Sequence, residues 1–110
     1  MALVVQEVAF EMVAEIKPLI DTIGRRDRPL ADQVRRSASS VALNIAEATQ
    51  SGGGNRTTRL RSAAGSASET RAALRVAAAW GYINEADREP VDLKLDRVLA
   101  MLWRLCHRRQ

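Results

Sequence analysis

Aromatic side chains are nearly missing from this chain of 110 residues: two Trp, one Tyr and one Phe make up 4% of it. A core with so few large rings must close helices tightly over Ala, Leu and Val, which supply most of the 46% apolar share. There is a single cysteine, Cys106, so no internal disulfide can form. No charged segment followed by an apolar run and a cleavage site opens the chain, and a reducing cytoplasm is the expected location. No uncharged apolar run approaches the roughly 18 residues of a bilayer span, so no membrane association is expected. Neither period-2 apolar alternation nor a repeat of roughly 20 to 50 residues is visible, which leaves no basis for a sheet or a solenoid. Paired carboxylates, clustered metal ligands and a nucleophile beside a base are all missing at workable spacing. The expectation is therefore one non-enzymatic domain without metal or cofactor.

Lysine is scarce as well. Seventeen Lys and Arg face 13 Asp and Glu for a net +4, yet only Lys17 and Lys94 are lysines. High genomic GC content would favour such an Arg bias, but a planar guanidinium also binds phosphate bidentately and stacks on bases. Its distribution is uneven. Glu7, Glu11, Glu15 and Asp21 against Lys17 leave residues 1–23 at −3 and the remainder at +7. The molecule is electrically polarised along its sequence.

Apolar residues recur at three- and four-residue steps in four segments, predicting helices over about 3–23, 28–50, 55–81 and 85–108. Val5, Val8, Met12, Ile16, Leu19 and Ile23 form the first seam, which Gly24 stops. Asp27 and Pro29 start the second, formed by Leu30, Val34, Ala38, Val41, Ile45 and Ala48. After Ser51-Gly52-Gly53-Gly54, Asn55 is placed as the N-cap of a third helix with Leu60, Ala64, Ala67, Arg71 and Leu74 as its seam. Gly81 closes it. The fourth begins near Asn84 with Glu85 and Asp87 at its positive end and carries Val91, Leu95, Val98, Leu102 and Leu105; Pro90 is expected to perturb its first turns. Short connections predict an all-α, antiparallel up-down-up-down four-helix bundle. Positions on helices two and three whose numbers sum to roughly 105 should then lie level. Ser40 faces Gly65, allowing a close backbone approach; Arg36 faces Glu69, and Glu47 faces Arg59, as interhelical ion pairs.

The pattern Gln33-x-Arg35-Arg36-Ser37-x-x-Ser40-Val41-x-x-Asn44-Ile45-Ala46-Glu47, then Ala63-x-Gly65-Ser66-x-x-Glu69 and Gly81-Tyr82-Ile83, resembles the bacterial four-helix-bundle family encoded within intervening sequences of large-subunit ribosomal RNA genes. The match spans about residues 31–83. Ala42 and Ala48 stand where relatives usually carry Pro and Gly, and Thr58, Leu60 and Arg61 where they carry phenylalanines. The same fold family includes the accessory variability determinant of diversity-generating retroelements, a basic homopentamer that binds reverse transcriptase and nucleic acid. The resemblance implies a homopentameric ring of bundles and an RNA or DNA partner, and makes Arg36, Ser40, Asn44, Glu47, Gly65, Ser66 and Glu69 the family's structural motif. It implies no enzyme.

Three basic groups are candidate nucleic-acid contacts. Arg25, Arg26 and Arg28 crowd the first loop; Arg56, Arg59 and Arg61 open helix three; Lys94, Arg97, Arg104 and Arg108 follow one face of helix four for about 20 Å. That last stripe is equally suited to solvent or to pairing with Glu7, Glu11 and Glu15. Those carboxylates, spaced four apart, repel one another unless a cation lies beside them. A head-to-tail oligomer would supply one. The glycine loop reads as a plain connector, or as N–H donors to a phosphate assisted by Arg56, although it lacks the Lys-Ser or Lys-Thr of a P-loop. Cys106 is expected buried, His107 solvated, and Trp80 and Trp103 to anchor the core or an interface. Tyr82 is ambiguous. Two readings follow. One is a basic oligomeric module that binds structured nucleic acid electrostatically, as an accessory to a larger enzyme such as a reverse transcriptase. The other is a protein-interaction scaffold whose Arg residues are mostly paired with carboxylates.

Overall fold

Capping chemistry sets the helix boundaries. The computed structural model describes residues 2–107, with side chains from 4 to 107, and among these are four helices and no strand. They are α1 (Ala2–Gly24), α2 (Arg28–Thr49), α3 (Gly53–Ala79) and α4 (Glu85–Cys106). At the start of α2, Asp27 accepts the Leu30 N–H at 3.0 Å and Pro29 occupies the first turn, where no N–H is needed. Asn84 and Asp87 form a reciprocal capping box on α4. That helix runs unbroken through Pro90, which therefore does not end it. Pro90 is its sixth residue and has no N–H for the Ala86 carbonyl, so one ladder bond is lost and the ladder resumes beyond it.

Helix α3 departs from expectation at both ends. Its N-cap is Gly52, in extended backbone, and Gly53 adopts φ +57°, so Asn55 lies inside the first turn and is not the cap. A glycine enters that left-handed region without steric penalty and turns the chain sooner than a side-chain cap would. At the other end the helix stops at Ala79. Gly81, at φ +82°, lets its N–H reach the Ala78 carbonyl (3.0 Å) and the Tyr82 N–H reach the Ala77 carbonyl (2.9 Å). This paired closure satisfies carbonyls that the helix end would otherwise leave free.

Each helix packs against its neighbours in the chain, and α4 returns to pack on α1. The enclosed core contains Met12 and Ile16 from α1, Val41 and Ile45 from α2, Leu60 and Leu74 from α3, and Leu95 and Leu102 from α4, all fully buried. Arg71 does not belong to it: the side chain sits half-buried at the rim and bonds to Asp96 of α4, while Ala63, Thr70 and Ala73 take the inward positions. Along α2 and α3, contact positions fall on one helix as they rise on the other. Gln33 Nε2 donates to Glu69 at 3.4 Å, Ser40 Oγ lies 2.8 Å from Ser66 Oγ, and Asn44 Oδ1 is 3.5 Å from Arg59 Nη1. Ser40 therefore meets Ser66 rather than Gly65. Gly65 is exposed, and a Cβ added there would meet nothing within 4 Å, so the close approach expected at that position does not occur. Ser66 and Ala67, rotated inward of it, carry the seam.

The molecule measures 46 × 22 × 19 Å, long enough that features at its two ends are separate surfaces. No described helix is long and apolar enough to cross a membrane.

Candidate nucleic-acid interface

The first loop turns tightly because Arg26 and Asp27 both donate their N–H to the Ile23 carbonyl, at 2.9 and 2.8 Å. This leaves Arg25, Arg26 and Arg28 exposed at one end of the molecule. The α3–α4 connection reaches the same end, where the Arg26 guanidinium lies 5.6 Å from the Tyr82 ring centre and the Tyr82 hydroxyl donates to Asp27 at 3.3 Å. Burial and the neighbouring Asp27 carboxylate raise the Tyr82 phenol above its ordinary value, against a smaller opposing effect of Arg26, so it stays a donor. Arg25 and Arg28 line a cleft of about 270 Å³ with Gly24, Ala31, Asp32 and Arg35. None of the three loop arginines has a carboxylate partner within 4.0 Å among the described residues.

The second group separates. Arg59 lies 3.9 Å from Glu47 of α2, whereas Arg61 lines the groove between α3 and α4, and Arg56 is half-buried. Two residues apart on a helix, Arg59 and Arg61 point in nearly opposite directions. They do not form one patch.

Helix four loses the first member of its expected stripe. Lys94 bonds to Glu11, at 3.2 Å, and to Glu15, and these two acceptors raise its ammonium above the ordinary lysine value. For Glu11 and Glu15 the compensating cation thus comes from the same chain, which removes their share of the charge argument for a head-to-tail oligomer. Arg97 and Arg104 are exposed and without a carboxylate partner among the described residues. Arg108 lies outside the described residues.

A fourth basic surface was not anticipated as such. Arg35, Arg36 and Arg59 border a groove of about 510 Å³ between α2 and α3, floored by Ser40 and Asn44 and flanked by Glu47. Arg36, expected to pair with Glu69, has no carboxylate partner among the described residues; Gln33, nearly one turn earlier, takes Glu69 instead. Arg35 pairs with Asp32 at 3.0 Å on the exposed surface. Asn44 Nδ2 donates to the Ser40 carbonyl and hydroxyl, at 2.9 and 3.0 Å, and so fixes the groove floor. The adjacent Arg35-Arg36 pair was the available signal, obscured by the level-pairing argument that assigned Arg36 to Glu69.

Of the two roles expected for the tryptophans, core or interface anchoring, exposure removes the first. Trp80 is 68% exposed and Trp103 is 62% exposed. The surroundings explain it: Trp80 is the exposed C-cap of α3, and Trp103 lies on the rim of the α3/α4 groove, where its ring stacks on His107 with centres 4.2 Å apart. Cys106 is half-buried beside them. Among the described residues no group of three His, Cys, Asp or Glu is placed to hold a metal ion.

A crystal structure described as a protein of unknown function from the S23 ribosomal protein family of Bacteroides thetaiotaomicron superposes on this fold with a TM-score of 0.86, at 22% identity over 94% of this chain and 98% of that one. No functionally curated protein shows significant similarity. The family model for the 23S rRNA-intervening sequence protein matches residues 1–104, including all four helices apart from the last two residues of α4. The chain belongs to the 23S rRNA-intervening sequence protein family.

Proposed function

We propose that this chain is a non-catalytic basic module that binds structured RNA or DNA through phosphate contacts, as an accessory to a larger enzyme such as a reverse transcriptase. The carrying observation is the pairing state of the arginines. Among those described, only Arg35, Arg59, Arg71 and Arg88 lie within 4.0 Å of a carboxylate. A protein scaffold neutralised by internal ion pairs would show the reverse. Arg25, Arg26 and Arg28 supply the densest unneutralised charge, held by a short loop between two helices, and contacts of this kind give affinity without reading sequence.

The helices are read as an up-down-up-down bundle assembled into a homopentameric ring. Exposed Phe10, Leu43 and Leu93 supply apolar surface that assembly would cover. Light scattering in about 150 mM salt, near the physiological range of screening, tests the assembly: a mass five times that of the chain is expected, and a monomer overturns the ring.

Binding is tested by fluorescence anisotropy with structured RNA and duplex DNA over a salt series, using the wild type and a variant with Arg25, Arg26 and Arg28 all changed to Glu. Affinity should fall with salt, and the triple change should weaken it at least tenfold at about 50 mM salt. No binding by the wild type under that condition overturns the nucleic-acid reading.

A further inference from the structure

Resting on the nucleic-acid reading above, we infer that the α3/α4 groove seats an unstacked base of a single strand against Trp103, with Arg61 contacting the adjacent phosphate. The groove has a volume of about 320 Å³. Its rim carries one of the four aromatic rings in the chain, and that ring is 62% exposed. Across from it α3 presents the small Ala64 and Ser68 between the longer Arg61 and Arg71. His107 stacks on the ring at an interplanar angle of 19°, and its Nδ1 lies 2.8 Å from the Trp103 carbonyl oxygen. Leu99 and Leu102 make the groove apolar below the indole.

Charge selects the occupant. Of the two guanidinium groups lining the groove, Arg71 is satisfied by Asp96, whereas Arg61 is exposed and has no carboxylate partner among the described residues. An apolar slot with an exposed aromatic wall and a guanidinium unpaired among the described residues matches a planar base attached to an anionic backbone. A duplex, whose bases are stacked inside, offers no such group. The site therefore adds a preference for unpaired nucleotides to the strand-insensitive charge of the first loop.

The test compares anisotropy of a labelled oligoadenylate of about 12 nucleotides, in ribo and deoxy forms, with a duplex of mixed sequence. Trp103→Ala should weaken single-strand binding roughly 5- to 150-fold, the range that loss of one stacked base corresponds to, and leave duplex binding within about twofold. Trp103→Phe should restore most of the loss. In a Trp80→Phe background, where Trp103 is the sole indole, its emission should be quenched by the single strand and not by the duplex. Ribo and deoxy strands affected alike identify the base as the recognised group; a loss confined to one assigns the contact to the sugar and overturns base stacking. Unchanged single-strand binding in Trp103→Ala, an equal loss on the duplex, or duplex binding without single-strand binding in the wild type overturns this inference alone. Absence of all binding overturns the underlying reading with it.

Discussion

The two seams α1/α4 and α2/α3 hold the same fold together by different chemistry. Between α1 and α4 the buried side chains are long: Met12 and Ile16 on one side, Leu95 and Leu102 on the other, with Lys94 bridging Glu11 and Glu15 above them. On α2 and α3 the buried set mixes sizes and polarity, with Ser37 and Thr70 beside Ala63, Ala67, Val41 and Leu60. The Thr70 hydroxyl lies 2.8 Å from both Ser37 Oγ and the Ser66 carbonyl oxygen, and its one proton serves either. Hydroxyls are tolerated in the second seam because helical carbonyls are always within reach of them. The difference teaches where each seam is vulnerable: the first to lost volume, the second also to lost hydroxyl bonds.

Leu95→Ala should have the largest effect, lowering stability by about 2–5 kcal/mol in urea denaturation, since the side chain is fully buried and its truncation leaves a cavity that the surroundings fill only in part. Thr70→Val keeps the shape and removes only the hydroxyl bond, so the same measurement should show a loss of about 1 kcal/mol; a loss as large as that of Leu95→Ala would erase the distinction between seams. Gly65→Ala should raise stability by about 1 kcal/mol, because α3 gains helix propensity and the new methyl meets nothing. Destabilisation there would reinstate the close approach that the sequence suggested. The smallest effect belongs to Lys94→Met. Its sign follows from the raised value of the folded ammonium: the bridge contributes fully below the unfolded lysine value of about 10.4 and is lost as pH rises through the folded one. Thermal melts of wild type and variant should therefore differ at neutral pH and converge in strong alkali.

Periodicity revealed the four helices because each presents an apolar stripe to one core, and caps such as Asp27 and Asn84 advertise themselves by residue type. Rotation about the helix axis was less legible. Ser40 was expected opposite Gly65 and meets Ser66, a displacement of one residue that swings a side chain by about 100° and decides what faces solvent. The same uncertainty misplaced Arg71 in the core and Arg36 in an ion pair. The exposed loop arginines were legible because a short turn between two helices has nowhere to bury them. Exposure of Trp80 and Trp103 was not, since a default of burying large rings gives no information about which helix face is already full.

The bridge over the α1/α4 seam also bears on how the protein can be labelled. Of the two lysine side chains, that of Lys94 is 23% exposed and held in its protonated, non-nucleophilic form by two carboxylates, whereas that of Lys17 is 77% exposed with one exposed partner. An amine-directed reagent should thus reach Lys17 first of these two side chains and place a probe on α1, a helix that lines neither the α2/α3 nor the α3/α4 groove.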